Sequence, residues 1–508
     1  MIKFNENKKT MISLITSLIA LALNIIINFF LSPYIVANFG EEANGFTQLA
    51  NNFVNYATLI TVALNSMAGR FITISYYNDE FGECDKYYSS VIIGNIAIFL
   101  LLIIPALICV FKLESLVNIE TANVDHVKLL FAFVFANFFI SQANSVIGVV
   151  FYVKNEQYLQ NSINALRYLM NAGGLLILFS VFVPKIYFVS LMGVILSLLT
   201  LPCYFIIKIK TLPEVKFSFK YFAFTSIWKM ISSGFWNTLN QCGNLLMTGF
   251  DLLLANLLLG PSPMGVLSVA KTVPNCIIQL GTTVNNTFSP NLTIAYASGN
   301  SEQILKSLRY SMKCSSFLMS IPLMVLCVFG VNFYSLWVPS LNATQLSVLS
   351  LLTCAAFIPF AGPQTLYNVY TTTNKLKLNS TTVVFGGILN IVIVCVLIKF
   401  TSLGLYAIAG VSSLISLVRN LLITVPYTAK LLGLKWYTFY KDVLISLACC
   451  ALSAGSCYLM NALLKPTRWL TLAVAVFVAC IISAILIFMI LLNKEEKKNF
   501  MQKFKRRK

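Results

Sequence analysis

Charge is scarce in this chain. Only 10% of its 508 residues are charged, 58% are hydrophobic, and it contains a single His. So little charge spread over so long a chain cannot solvate the surface of a soluble protein. The lone His126 sits in a predicted loop, where it reads as an ordinary surface residue rather than a catalyst. No Gly-rich loop with a following Lys-Ser/Thr is present, which excludes nucleotide hydrolysis by the chain itself. Clustered His, Asp and Glu are absent, so no metal site is expected. The 13 Cys contain no Cys-x-x-Cys, and the adjacent Cys449 and Cys450 do not form a metal signature. Most Cys lie inside apolar runs, where the thiol acts as a small hydrophobe. These absences leave no catalytic group, so the chain reads as a non-enzyme without cofactor.

What is present is apolar length. Mean hydropathy is +0.81, and apolar runs near the length needed to cross a hydrocarbon core recur throughout. Fourteen such runs are predicted, among them 229–259, 265–295 and 343–370. The expectation is an all-α integral membrane protein with about 14 transmembrane helices. They divide into an N-lobe over 1–207, a basic cytoplasmic linker over 208–228 and a C-lobe over 229–428. Two extra helices over 441–492 and a basic tail over 493–508 follow. Cations orient the stack. With a cytoplasmic N-terminus, the outer segments hold six (Lys112, Lys128, Lys185, Lys399, Lys465, Arg468), the cytoplasmic side holds 28, and Lys271 and Arg419 fall inside helices. That bias predicts both termini inside. It also turns the net charge of +19 into a topology signal meeting anionic membrane lipid rather than a nucleic-acid footprint.

The stretch from Trp228 to Asn291 organises the rest. It reads as two helices joined by Gly260-Pro261-Ser262-Pro263-Met264-Gly265. The first carries Asn237, Gln241, Asn244, Thr248 and Asp251 at helical spacing; the second carries Lys271, Asn275, Thr282 and Asn286. A polar stripe has no reason to face lipid, so it faces another helix or a water-filled cavity. The same hairpin occurs earlier. Adding 220 maps Asn24, Phe30, Gly40, Gly45, Ala50, Asn55, Asn65, Thr73, Ile74, Tyr76 and Lys86 onto identical residues. A shift of 219 then matches Asn155, Leu159, Asn171 and Tyr187 to Asn374, Leu378, Asn390 and Tyr406. This is an internal duplication. Six spans separate the copies, so the two six-helix repeats run parallel, and a central cavity is expected between them.

Charges inside the membrane remain: Arg167, Arg419, Lys271, Asp251 and, at the inner interface, Arg70. Each is costly unless paired or hydrated. Arg70 reads equally as a snorkelling topology residue; Lys271 reads as a cavity group with a structural pair to Asp251 as the rival, and Asp251 as that partner or as a coupling group. The cations do not follow the duplication: Lys271 aligns with Asn51, Arg419 with Thr200, and Arg167 with Gly386. That asymmetry suggests an asymmetric ligand with one anionic end. Arg and Lys suit a diphosphate or acidic group. Asn24, Asn28, Asn51, Asn55, Asn237, Gln241, Asn244, Asn275 and Asn286 suit sugar hydroxyls, although helix–helix glue is the alternative for any single Asn. Pro274, Pro290, Pro359 and Pro363 are candidate flex points, or ordinary kinks.

The stretch Leu31-Ser-Pro-Tyr-Ile-Val-Ala-Asn-Phe-Gly40, with Gly45-Phe46, Ala50-Asn-Asn-Phe53 and Asn65-Ser-Met-Ala-Gly-Arg70, resembles the first helix pair of bacterial polysaccharide exporters. These are the O-antigen flippases of the multidrug/oligosaccharidyl-lipid/polysaccharide (MOP) superfamily. The resemblance implies fourteen helices in two lobes plus two. It also implies alternating-access movement of undecaprenyl-diphosphate-linked oligosaccharide across the bacterial inner membrane for surface polysaccharide synthesis. Partners would be the lipid-linked oligosaccharide, membrane lipid and the polymerase and glycosyltransferases of the same pathway. An ion gradient or the membrane potential would supply any coupling. In related flippases a cationic cavity takes the diphosphate; the positions that suit this here are Arg70, Lys271 and, after them, Arg167 and Arg419. Two alternatives stay open: a multidrug or cation antiporter of the same superfamily, and a membrane polymerase or glycosyltransferase. Helix 1 lacks the buried acid often found in the antiporters, and the loops are small for the enzymes.

Overall fold

A computed structural model describes residues 2–120, 124–154, 156–297 and 301–491; Asn155 and the basic tail over 493–508 lie outside the described residues. The described residues are helical, with no strand among them. Hydrocarbon gives an unpaired backbone no water to bond to, so apolar runs of this length fold as helices. In chain order they are α1 (Ile2–Phe39), α2 (Glu41–Tyr77), α3 (Phe81–Phe111), α4 (Val124–Val153), α5 (Gln157–Val181), α6 (Phe188–Thr211), α7 (Phe224–Leu259), α8 (Pro261–Ala297), α9 (Ser301–Trp337), α10 (343–372, in pieces), α11 (Leu376–Phe400), α12 (Leu405–Leu431), α13 (Tyr440–Leu464) and α14 (Trp469–Leu491).

Twelve of these, among the described residues, are long and apolar enough to cross a membrane, against the fourteen expected. The runs expected at 265–295 and 343–370 are the two that differ. The first lies in α8, one helix whose apolar residues are interrupted by Lys271, Asn275, Thr282 and Asn286. The second breaks into Ala343–Cys354, Phe357–Phe360, Pro363–Leu366 and Tyr367–Thr372. Pro359 and Pro363 lack the N–H that an unbroken helix needs. The loosened backbone is satisfied from neighbours: Ser315 Oγ of α9 donates to the Ala361 carbonyl at 2.7 Å, and Gly362 N donates to Ser446 Oγ of α13 at 3.2 Å.

The described residues form two compact units. One runs as far as Ser268 and takes in Val383–Ile388 from α11; the other comprises Val269–Thr382 and the residues from Leu389 onward. In the first unit α4 packs on α6, α1 on α5, and α2 on both α3 and α7. In the second, α9 packs on α10, α13 and α14, and α10 on α12.

The duplication is visible in both. Gly40 closes α1 at φ 83° and Gly260 closes α7 at φ 103°; each lies in a backbone region that only glycine adopts freely. Ile72, Tyr88 and Val150 share one buried cluster of the first unit. Their repeat counterparts Leu292, Leu308 and Val369 share one buried cluster of the second. Large apolar side chains such as Leu100, Ile104, Phe111, Leu470 and Phe477 are exposed on the outside of the helices, the surface a lipid solvent requires.

Candidate functional site

Three helices of the first unit each present polar residues at helical spacing. These are Asn137, Ser141 and Asn144 on α4, Gln160, Asn164 and Arg167 on α5, and Ser197, Thr200 and Tyr204 on α6. Where they converge, the Arg167 guanidinium donates to Ser197 Oγ at 2.8 Å and Asn137 Oδ1 at 3.2 Å. The same Asn137 oxygen accepts from Ser197 Oγ at 2.5 Å and Ser141 Oγ at 3.3 Å. Asn144 Nδ2 donates to the Ser197 carbonyl and to Thr200 Oγ1, each at 3.1 Å. Its Oδ1 is buried without a hydrogen-bond partner. Beside Arg167 lies a cavity of about 150 Å³ lined by residues of α4, α5 and α6, none of them acidic.

The second unit holds a comparable group on α12. Arg419 lies immediately before a single π-turn, Asn420–Thr424, a local widening that turns the next side chain inward. Arg419 donates to Tyr367 Oη at 2.9 Å and Asn420 Oδ1 at 3.1 Å. Asn420 Oδ1 also accepts from Tyr367 Oη at 2.6 Å and Thr424 Oγ1 at 3.1 Å. The guanidinium carbon lies 5.8 Å from the Tyr367 ring centre. Arg419 Nε is buried with no hydrogen-bond partner among the described residues. No ion pair among the described residues involves Arg167 or Arg419. Aligned in one dimension these arginines looked unrelated. In space Thr200, the residue aligned with Arg419, lines the Arg167 cavity. Arg167 thus reaches α6 from α5, whereas Arg419 lies on α12, the repeat counterpart of α6.

The other expected residues are distributed as follows. Asn24 Nδ2 of α1 donates to Tyr168 Oη of α5 at 3.1 Å, and Asn28 Nδ2 donates to both the carbonyl and the side-chain oxygen of Asn24. Among the described residues, Asn24 and Asn28 are sugar candidates in contact with each other. Asn51 is exposed and donates to the Thr47 carbonyl of its own helix at 2.9 Å. Asn55, Gln241 and Asn244 are exposed in the first unit, with Asn237 half-buried; Asn275 and Asn286 are exposed in the second. Arg70 is exposed on α2. Asp251 and Lys271 are both buried, at 3% and 7% exposure, and each interacts with neighbours. Among the described residues no group of His, Cys, Asp and Glu is placed to hold a metal ion.

The first unit is also closed by polar contacts between α2 and the α7–α8 hairpin. Asn44 Nδ2 donates to Ser268 Oγ at 2.7 Å, Gln48 Nε2 donates to the Ser268 carbonyl at 3.0 Å, and Ser262 Oγ donates to Glu41 Oε1 at 3.0 Å. The repeat-related Gly45 and Gly265 meet there: a Cβ on Gly265 would lie 2.5 Å from the Glu41 backbone. Tyr56 stacks on Phe250 at 4.6 Å and donates to the Gly249 carbonyl, freed by the π-turn of α7, at 2.8 Å. Sequence reasoning missed Asn137, Ser197, Tyr168, Tyr367 and Asn420. The Asn137–Ser141–Asn144 spacing on α4 was a usable signal. Nothing in the sequence marked the π-turn.

No family model matches the chain. Over 505 residues it is 26% identical to the "Uncharacterized membrane protein EpsK" of Bacillus subtilis (strain 168), a match spanning 98% of this chain and 99% of that protein. Among solved structures it is similar to an inward-facing multidrug resistance MATE family transporter of the MOP superfamily. That likeness has a TM-score of 0.66 and 12% identity, and covers 84% of this chain and 98% of the other. It is also similar to the lipid II flippase MurJ in an inward closed conformation, with a TM-score of 0.64, 15% identity, and 94% and 100% coverage. The fold is the one seen in these two structures, and the chain is a multi-pass membrane protein.

Proposed function

We propose that this protein is a flippase for undecaprenyl-diphosphate-linked oligosaccharides of surface polysaccharide synthesis, working by alternating access in a bacterial inner membrane with both termini cytoplasmic. The observation that carries the reading is Arg419: an arginine inside a membrane helix, bonded only to neutral oxygens, with one N–H still unpartnered. Such a cation is costly in hydrocarbon and suits a ligand that brings negative charge. Arg70, Lys271 and Arg419 would meet the diphosphate. Exposed amides, Asn51, Asn55, Gln241 and Asn244 in one unit and Asn275 and Asn286 in the other, would exchange water for sugar hydroxyls. The polyprenyl chain would stay in lipid. The polymerase and glycosyltransferases of the pathway would be its partners, and an ion gradient or the membrane potential its driving force.

The test is deletion of the gene in its host with labelling of lipid-linked oligosaccharide on each side of the membrane. The expected result is accumulation on the cytoplasmic face, reversed by the intact gene and not by an Arg419→Ala form. Even distribution in the deletion strain would overturn the reading. The buried Asp251 of α7 favours a second reading, a cation-coupled drug antiporter, since an intramembrane acid is the group a proton or Na⁺ cycle uses. A deletion strain with raised drug sensitivity and unchanged surface polysaccharide would support it.

A further inference from the structure

We infer that the α4–α5–α6 cavity of the first unit is a binding site for a phosphate monoester or free phosphate, separate from the groups assigned above to the transported diphosphate. Its lining offers the Arg167 guanidinium, the amides of Gln160 and Asn164 and the hydroxyl of Tyr204, while the Thr200 hydroxyl is committed to the Ser197 carbonyl at 3.1 Å. No acidic residue lines it, so a metal or ammonium ion would meet only the repulsion of Arg167. A neutral solute would leave the half-buried Arg167 charge, held only by neutral oxygens, without a counter-ion. The ligand is therefore an anion with several acceptor oxygens, matching the forked geometry of a guanidinium. The volume of about 150 Å³ holds a compact tetrahedral ion together with water.

Asn144 narrows the class. Its amide nitrogen is committed to the Ser197 carbonyl and Thr200 Oγ1, which fixes the orientation of the group. Its Oδ1 is a buried acceptor with no donor among the described residues, one that a ligand O–H can satisfy. Halide, sulfate, carboxylate and phosphodiester have no proton to give. Inorganic phosphate keeps an O–H at neutral pH, and a phosphate monoester carries one when singly protonated, with a pKa of about 6. The anion with one donor and several acceptors thus fits both Arg167 and Asn144. Free phosphate and the headgroup of a lipid monoester share that chemistry.

The purified full-length protein in nanodiscs provides the test, with thermal stability as the readout and no transport required; failure of this site would leave the flippase reading standing. Inorganic phosphate titrated into nanodiscs of neutral lipid is expected to raise the melting temperature, with sulfate much less effective. Arg167→Gln should weaken the half-effect concentration by about tenfold or more, the loss of a charge-assisted contact. If phosphate is inert but phosphatidic acid in the disc stabilises the protein in an Arg167-dependent manner and phosphatidylglycerol does not, the site takes the lipid monoester. Equal stabilisation by sulfate or phosphatidylglycerol would overturn the inference. So would identical behaviour of wild type and Arg167→Gln towards both phosphate and phosphatidic acid.

Discussion

Two arginines, one in each half of a duplicated chain, are held by the same device built from unrelated residues. In the first unit the carboxamide oxygen of Asn137, on α4, accepts from Arg167 and from the hydroxyls of Ser197 and Ser141. In the second, the carboxamide oxygen of Asn420, on α12, accepts from Arg419 and from the hydroxyls of Tyr367 and Thr424. The repeat aligns Asn137 with Ala356 and Asn420 with Leu201, so neither asparagine is the copy of the other. The surroundings then diverge. Arg167 opens onto a polar cavity, whereas Arg419 lies against the face of Tyr367 beside a π-turn. A neutral oxygen that gathers several donors tolerates a guanidinium without cancelling its charge, and so keeps the cation available to an anionic ligand.

Repeat-related helix pairs differ as well. α1 meets α5 through side chains: Asn24 with Tyr168 at 3.1 Å, and Tyr34 stacked on Phe179 at 4.9 Å. Their counterparts α7 and α11 meet backbone to backbone. A Cβ on Gly243 would lie 2.6 Å from Val384 N, and one on Gly387 would lie 3.0 Å from the Gly243 carbonyl. Close backbone approach at small residues is a recurrent solution where lipid supplies no hydrophobic drive between helices.

The sharpest way to break the comparison is at those glycines. Gly243→Leu pushes against backbone, which cannot move aside as a side chain can. It should cost about 3 kcal/mol, read as a fall in melting temperature and in the amount of membrane-inserted protein. Gly173→Leu on α5, with nothing within 4 Å of a Cβ, should be neutral. Similar losses in both would mean that the two pairs are not packed differently. Arg419→Ala should reduce transport at least about tenfold with the protein still present, because a charge-assisted contact to an anion is lost; Arg419→Lys should keep part of it, since charge survives without the fork. Normal transport by the Ala form would make Arg419 an anchor only.

Smaller effects sharpen the contrast. Asn65 and Asn95 pair their amides reciprocally at 3.1 and 2.8 Å between α2 and α3, while the residue aligned with Asn95 is Ser315, bonded elsewhere. Asn95→Leu should cost about 1 kcal/mol, measured by thermal unfolding, and Ser315→Ala should not disturb the α2–α3 pair. Tyr168→Phe removes one interhelical hydrogen bond of α1 and α5, worth about 0.6 kcal/mol on average in a membrane protein. A drop of several kcal/mol would show Asn24 to be doing more than tethering two helices.

The sequence alone determined the solvent, the helices and the repeat. Apolar runs separated by short polar links leave no alternative to membrane helices, because an unpaired backbone is too costly in hydrocarbon. The identities at Gly40 and Gly260 mark a turn whose positive φ is needed in both copies. The polar stripes on α7 and α8 were also legible, since spacings of three and four survive any packing. The partners were not. That Thr200 stands beside Arg167, that Tyr367 caps Arg419, and that Asn137 and Asn420 play one role depends on how helices distant in sequence come side by side. The π-turns of α7 and α12 shift each following side chain by a fraction of a turn that no spacing rule carries. The broken course of α10 was half legible, in Pro359 and Pro363. The serines of α9 and α13 that satisfy its freed backbone are ordinary residues until the tertiary structure brings them there.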